Sequence, residues 1–248
     1  MASLPATTGG PAYDATVLHA AAWAGLAAST LLVGAWLGIV WNASQRVIGL
    51  VMGFGAGALI ASVSFELTEE AFDRAGGVPL AVGLAAGALT YWVGDLMIDR
   101  MGHGSDQTAL ALLLGAGLDG IPESLIIGLS LTLGGTVETA FLVSVAVSNI
   151  PEGLASASAQ HRAGEPTGPI LARWAAIVVM SAVFGAIGFA LFDDLPARAV
   201  AVTQAFAAGA LLTMVMDTMA PEAFRDAGRA TGLIAVAGFA LAFFLSVR

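Results

Sequence analysis

Long apolar stretches make up most of this chain, and polar, glycine and proline residues cluster in the short gaps between them. A helix needs about 20 mostly apolar residues to cross about 30 Å of hydrocarbon. The pattern predicts eight such helices, at residues 16–40, 47–68, 78–98, 108–133, 137–160, 169–192, 198–219 and 231–247. The runs lack the alternation typical of outer-membrane strands. We therefore expect an all-α membrane protein.

The charge content narrows the class of protein further. Only 11% of the 248 residues are charged, whereas soluble domains carry about a quarter. The gaps leave no room for a second domain, so we expect one transmembrane domain over residues 1–248, embedded in a lipid bilayer. The net charge of −9 argues against a nucleic-acid partner. The absence of cysteine excludes disulfides and thiolate metal sites.

Arginine supplies all the positive charge and predicts the orientation. One set of predicted helix ends carries Arg46, Arg100, Arg162, Arg173, Arg225 and Arg229, and the other carries Arg74, Arg198 and Arg248. The positive-inside rule assigns the richer side to the cytoplasm. We expect both termini to lie outside the cytoplasm, in an integral protein of a bacterial inner membrane.

Two segments of the chain repeat each other. Residues 54–76 (FGAGALIASVSFELTEEAFDRAG) align without a gap on residues 206–228 (FAAGALLTMVMDTMAPEAFRDAG), with about half the positions identical. The copies lie in predicted helices two and seven, which cross in opposite directions, as in the inverted repeats of many transporters. We expect helices 1–3 to repeat as helices 6–8 around a central hairpin of helices 4 and 5. The alternative is a chance likeness between Ala- and Gly-rich helices.

Acidic residues interrupt predicted helices four and five. LDGIPESLIIG carries Asp119 and Glu123 on one helical face, and SNIPEGLA carries Ser148, Asn149 and Glu152. At 1.5 Å per residue from the connecting turn, Glu123 and Glu152 reach a similar depth near mid-membrane. Acids at one depth repel one another unless protons or a cation offset them. We predict a divalent-cation site made of these five residues; protonated acids that only join two helices are the alternative.

These motifs resemble those of a known family. IPES and NIPEG are similar to the metal-binding fourth and fifth helices of ZIP (Zrt/Irt-like) transporters, where His-Asn-x-Pro-Glu-Gly is usual. Residues 53–71 and 206–223 resemble that family's second and seventh helices. The resemblance implies a homodimeric divalent-metal transporter with a two-metal site. It also implies that a bundle containing helices four and five moves against a scaffold holding helices two and seven.

The chain departs from the family pattern at the predicted site. The fourth-helix His is Asp119 here, the fifth-helix His or Gln is Ser148, and helix six has no acid. Oxygen donors suit Mn²⁺, whereas imidazole suits Zn²⁺ and Fe²⁺. We expect one well-formed site rather than two. The cation (Zn²⁺, Mn²⁺, Fe²⁺ or Cd²⁺) would be the transported substrate, and we expect no cofactor.

Two further acids sit near the predicted ends of helices two and seven. Glu66 would lie at the outer mouth and Asp217 at the inner one, where they could pass a cation in and out. The alternative is a pair of interfacial acids that face water. Asp95, near the inner end of helix three, is assigned to the membrane interface.

Two other functions stay open at this point. A transporter of the same architecture could move a different substrate and use its acids as a proton relay, or a non-transporting membrane protein could hold a structural metal. The chain has no HExxH motif and no Ser/His pair, so an enzyme is not expected.

Overall fold

The computed structural model describes residues 11–41, 43–100, 105–134, 139–192 and 194–246, and all secondary structure there is helical. This confirms the all-α prediction. The α-helices are α1 Pro11–Val40, α2 Gln45–Ser62, α3 Glu69–Ala75, α4 Gly77–Asp99, α5 Ser105–Gly134, α6 Thr139–Arg162, α7 Thr167–Phe192, α8 Ala197–Met214, α9 Ala220–Ala227 and α10 Ala230–Ser246. The connector between α4 and α5, residues 101–104, lies outside the described residues.

Seven helical stretches of the described chain are long and apolar enough to cross a membrane, so the chain is an integral membrane protein. The last helix, α10, has only 17 residues. At about 1.5 Å per residue it is about 25 Å long, which is shorter than the hydrocarbon layer of about 30 Å. The eighth crossing therefore stays a prediction.

Helices two and seven of the sequence prediction end later than expected. They run on to Ala75 and Ala227 as continuous helical stretches of 31 residues each, because a π-helical turn joins α2 to α3 and another joins α8 to α9. Glu66 and Asp217 lie inside these turns. Both acids therefore lie within a continuous helical stretch rather than at its end, and their place at the two mouths of a cation path stays a prediction.

The two repeated segments have the same local structure. Their π-helical turns, Val63–Thr68 and Val215–Met219, begin at corresponding positions. Each segment ends at a glycine with positive φ, 81° at Gly76 and 65° at Gly228. Side-chain-bearing residues rarely adopt this conformation, so glycine is required at both ends.

Glycine also lets the helices of each copy approach closely. A Cβ on Gly57 of α2 would lie 1.9 Å from the carbonyl oxygen of Ala235 in α10. A Cβ on Gly209 of α8 would lie 2.1 Å from the carbonyl oxygen of Leu84 in α4. Small residues at such crossings are typical of helix packing in membranes. The pairs α2–α10 and α4–α8 are thus tightly joined.

The remaining helices pack around α1. Helix α1 packs against α6 and α7, α5 packs against α7, and α6 also packs against α2. The predicted central hairpin would bring α5 and α6 together. Within the described residues they are not a closely packed pair. Both helices instead contribute residues to the lining of one cavity.

Candidate metal centre

A cavity of about 650 Å³ leads into the helix bundle from one end. Its lining reaches helix termini at Gln45, Ile98 and Arg162, where the mouth lies. The acids on its wall are Asp95, Asp119, Glu152, Glu222 and Asp226, and the arginines are Arg162 and Arg225. Because acids outnumber arginines, the cavity favours cations over anions.

The three predicted carboxylates lie near one another, and two of them line the cavity. These two are Asp119 on α5 and Glu152 on α6. Glu123, one turn along α5 from Asp119, is only 4% exposed and does not contribute to the lining. Glu152 is close enough to Asp119 and Glu123 for electrostatic repulsion between them. Such a group is stabilised by a bound cation or by protons.

Tyr91 of α4 holds the side chain of Asp119. Its hydroxyl donates a hydrogen bond to Asp119 Oδ1 with an oxygen–oxygen distance of 2.6 Å. Thr218, in the second π-helical turn, lies beside the same hydroxyl and also lines the cavity. Asp95 follows Tyr91 by one helical turn and shares this wall, although the sequence analysis assigned it only to the membrane interface.

Ser148 and Asn149 are placed at helix contacts rather than on the cavity wall. Ser148 Oγ donates to the Val145 carbonyl at 2.9 Å, and a Cβ on Gly55 would lie 2.9 Å from Ser148 Cα, so this part of α6 touches α2. Asn149 Nδ2 donates to the Ala27 carbonyl of α1 at 3.2 Å. Both side chains are buried. Their prediction as cation ligands remains a prediction.

In this conformation the predicted ligands do not form a compact site. Within the described residues, no three His, Cys, Asp or Glu side chains lie close enough together to hold a metal ion. The structure brings Asp119, Glu123 and Glu152 to one region but not within reach of a single ion. An all-oxygen set of this kind suits hard divalent cations such as Mn²⁺.

Glu66 lines a second, much smaller cavity of about 10 Å³. Glu70, Ser130 and Gln204 share its lining. Ser246 of α10 donates a hydrogen bond to Glu66, and Gln204 Nε2 donates to Glu70 Oε2 at 2.5 Å. A space of this size holds about one water molecule.

Asp217 does not line either cavity. Its side chain is exposed on the outside of the helix bundle, whereas the next residue, Thr218, lines the large cavity.

Sequence reasoning missed Tyr91 and Thr218 as residues of the site. The signal for Tyr91 was its spacing of one helical turn from Asp95, which puts a phenol and a carboxylate on one face of a membrane helix.

Comparison with known proteins identifies a relative of this chain, although no family model matches it. A protein of Arabidopsis thaliana named as a "putative zinc transporter" is 30% identical over 190 residues. The match covers 72% of this chain but only 30% of that protein. The chain therefore corresponds to less than a third of its relative's length.

Proposed function

Because this chain is related to the ZIP (Zrt/Irt-like) family, we propose that it transports divalent metal cations across a membrane. The observation that carries the proposal is the large cavity that both Asp119 and Glu152 line. A carboxylate in the hydrocarbon region costs about 2.5–3.5 kcal/mol or more, so it is retained for function. The relative's name supports a metal as the substrate.

The donor atoms favour Mn²⁺ as a substrate beside Zn²⁺. Asp119, Glu123 and Glu152 offer only carboxylate oxygens, and carboxylates suit Mn²⁺ whereas imidazoles suit Zn²⁺. The relative is named for zinc. Both ions therefore belong in the test of function.

We place the cation between α5 and α6 near mid-membrane. Glu152 would have to approach Asp119 and Glu123 to complete the site, because the three carboxylates do not yet form a cluster. Repulsion among them opposes this approach until a cation binds. Ser148 and Asn149 would add neutral oxygen donors only after releasing their present hydrogen bonds to backbone carbonyls.

The path would cross the membrane between the two cavities. The mouth of the large cavity lies at the end that carries Arg162 and Arg225, and the positive-inside rule makes that end cytoplasmic. The small cavity at Glu66 then lies toward the outside. The shared π-helical turns and terminal glycines of the repeated segments support the proposal of an inverted repeat.

Glu152→Gln tests this function. The amide keeps the size of the side chain but removes the charge that attracts a dication, so uptake of Mn²⁺ and Zn²⁺ into proteoliposomes should be abolished. The matched control is Glu69→Gln, which makes the same change on an exposed residue of α3 and should keep uptake near the wild-type rate.

The amount of each variant in the membrane must be the same for the comparison to hold. Uptake by Glu152→Gln at the wild-type rate would contradict the proposal and favour a protonated, structural carboxyl. Wild-type protein that takes up neither metal would point to the proton relay, and a bound metal that never exchanges would point to a structural site.

A further inference from the structure

The hydrogen bond between Tyr91 and Asp119 joins two helices that otherwise meet lightly. Tyr91 is on α4 and Asp119 is on α5. Helix α4 packs mainly on α8, whereas α5 packs mainly on α7. The bond therefore links Asp119, which belongs to the α5–α7 part of the bundle, to the α4–α8 part.

The phenol ring of Tyr91 is held firmly in place. Only 3% of the residue is exposed, and its ring belongs to the main hydrophobic core with Ala207 and Leu211 of α8. A Cβ on Gly87, one turn before Tyr91, would overlap the Phe206 carbonyl of α8, so α4 cannot shift easily along α8. Since a donor on a fixed ring has little freedom, the hydroxyl defines where Asp119 Oδ1 sits.

This arrangement has a chemical consequence for the carboxylate. Oδ1 accepts the hydrogen bond from Tyr91 at 2.6 Å, while Asp119 also lines the cavity. The hydrogen bond thus fixes one oxygen of a carboxylate that faces the cavity. A hydrogen-bonded carboxylate presented in one orientation loses less freedom when it binds a cation.

We propose that Tyr91 is a positioning residue that orients Asp119 for the transported cation. This inference rests on the proposed function. Removal of such a supporting hydrogen bond weakens metal binding by about 10–100-fold. Tyr91→Phe removes only the hydroxyl, so we expect the Kd for Mn²⁺ to rise by about this factor, with a rise in the KM of uptake and little change in its maximal rate.

The chain offers a matched control, since its two tyrosines are Tyr13 and Tyr91. Tyr13→Phe makes the same change on α1, where the ring packs against Phe189 with a centroid distance of 5.4 Å. Mn²⁺ and Zn²⁺ binding to purified protein would be measured by calorimetry, together with thermal unfolding of the metal-free protein. The control should bind both metals as the wild type does.

A double-mutant cycle shows whether Tyr91 acts through Asp119. In an Asp119→Ala background, Tyr91→Phe should cause no further loss of affinity. The proposal is overturned if Tyr91→Phe binds Mn²⁺ with wild-type affinity, if it lowers the unfolding temperature and leaves the Kd unchanged, or if its effect persists in the Asp119→Ala background. Wild-type protein that binds neither metal would overturn the proposed function and this role with it.

Discussion

The contact between α2 and α10 at Gly57 can be tested by adding one methyl group. A Cβ there would lie 1.9 Å from the Ala235 carbonyl oxygen and 2.8 Å from Ala235 Cα. Carbon and oxygen atoms of packed helices approach to about 3.3–3.6 Å. To lengthen this contact from 1.9 Å to the lower limit, the two helices would have to move apart by about 1.4 Å. A gap of about 0.5–1 Å already loses a quarter to a half of each dispersion contact.

The cost of Gly57→Ala follows from this clash. Overpacking costs about 1–3 kcal/mol, and we expect the upper value because backbone atoms cannot rotate away as a side chain can. For a chain of this size each kcal/mol lowers the unfolding temperature by about 2–4 °C, so the fall should be about 6–12 °C. Gly209→Ala should lower the unfolding temperature by a similar amount, because its Cβ would lie 2.1 Å from the Leu84 carbonyl oxygen.

The assay is thermal unfolding of purified protein in detergent, followed by circular dichroism. The control is Gly232→Ala in α10, where a Cβ would meet nothing within 4 Å. Alanine is favoured over glycine inside a helix by about 0.5–1 kcal/mol, so this variant should be more stable than the wild type. The reasoning is refuted if Gly57→Ala is also stabilised, since the two helices could not then be in backbone contact.

Two further predictions concern metal choice and orientation. The double variant Asp119→His, Gly120→Asn should raise the affinity for Zn²⁺ relative to Mn²⁺, because imidazole replaces an oxygen donor. The Asn side chain has room, since a Cβ at residue 120 has no neighbour closer than 3.5 Å. Unchanged relative Kd values would show that Asp119 does not bind the cation. In this cysteine-free chain, Ala163→Cys should be shielded from an impermeant thiol reagent in intact cells and Leu195→Cys should react, whereas the reverse labelling would invert the orientation.

Apolar length was sufficient to predict the class and the approximate position of the helices. A run such as residues 169–192 has few arrangements open to it in a bilayer, where backbone groups must be satisfied within the helix. Polar clusters at the run ends then predict the bounds to within a few residues. The prediction was less accurate for α2–α3 and α8–α9, because the charged residues beyond Thr68 and Met219 looked like the start of loops. The structure continues both helices past them.

The candidate site was only partly predictable because sequence motifs report what a residue is and not which neighbour it meets. The spacing of Asp119 and Glu152 was enough to bring both toward one cavity. The same reasoning treated Ser148 and Asn149 as ligands, although their hydrogen bonds go to backbone carbonyls. Tyr91 lies 28 residues before its partner, and no local pattern relates two positions so far apart.

Glu66 and Asp217 do not occupy corresponding positions in the repeat. The gapless alignment of residues 54–76 with 206–228 places Thr218, not Asp217, opposite Glu66. Asp217 corresponds to Phe65, which packs its ring on Phe243 of α10. In the structure Glu66 and Thr218 each line a cavity and Asp217 does not.

The register of the repeat also relates the two cavities to each other. Glu66 and Glu70 line the small cavity, and their counterparts in the repeat, Thr218 and Glu222, line the large one. When the register is extended by two residues, Gln204 in the small cavity corresponds to Met52 in the large one. Corresponding positions therefore line different cavities, which is the arrangement expected of an inverted repeat. In the proposed transporter, opening the small cavity and closing the large one would require each copy to adopt the packing of its counterpart.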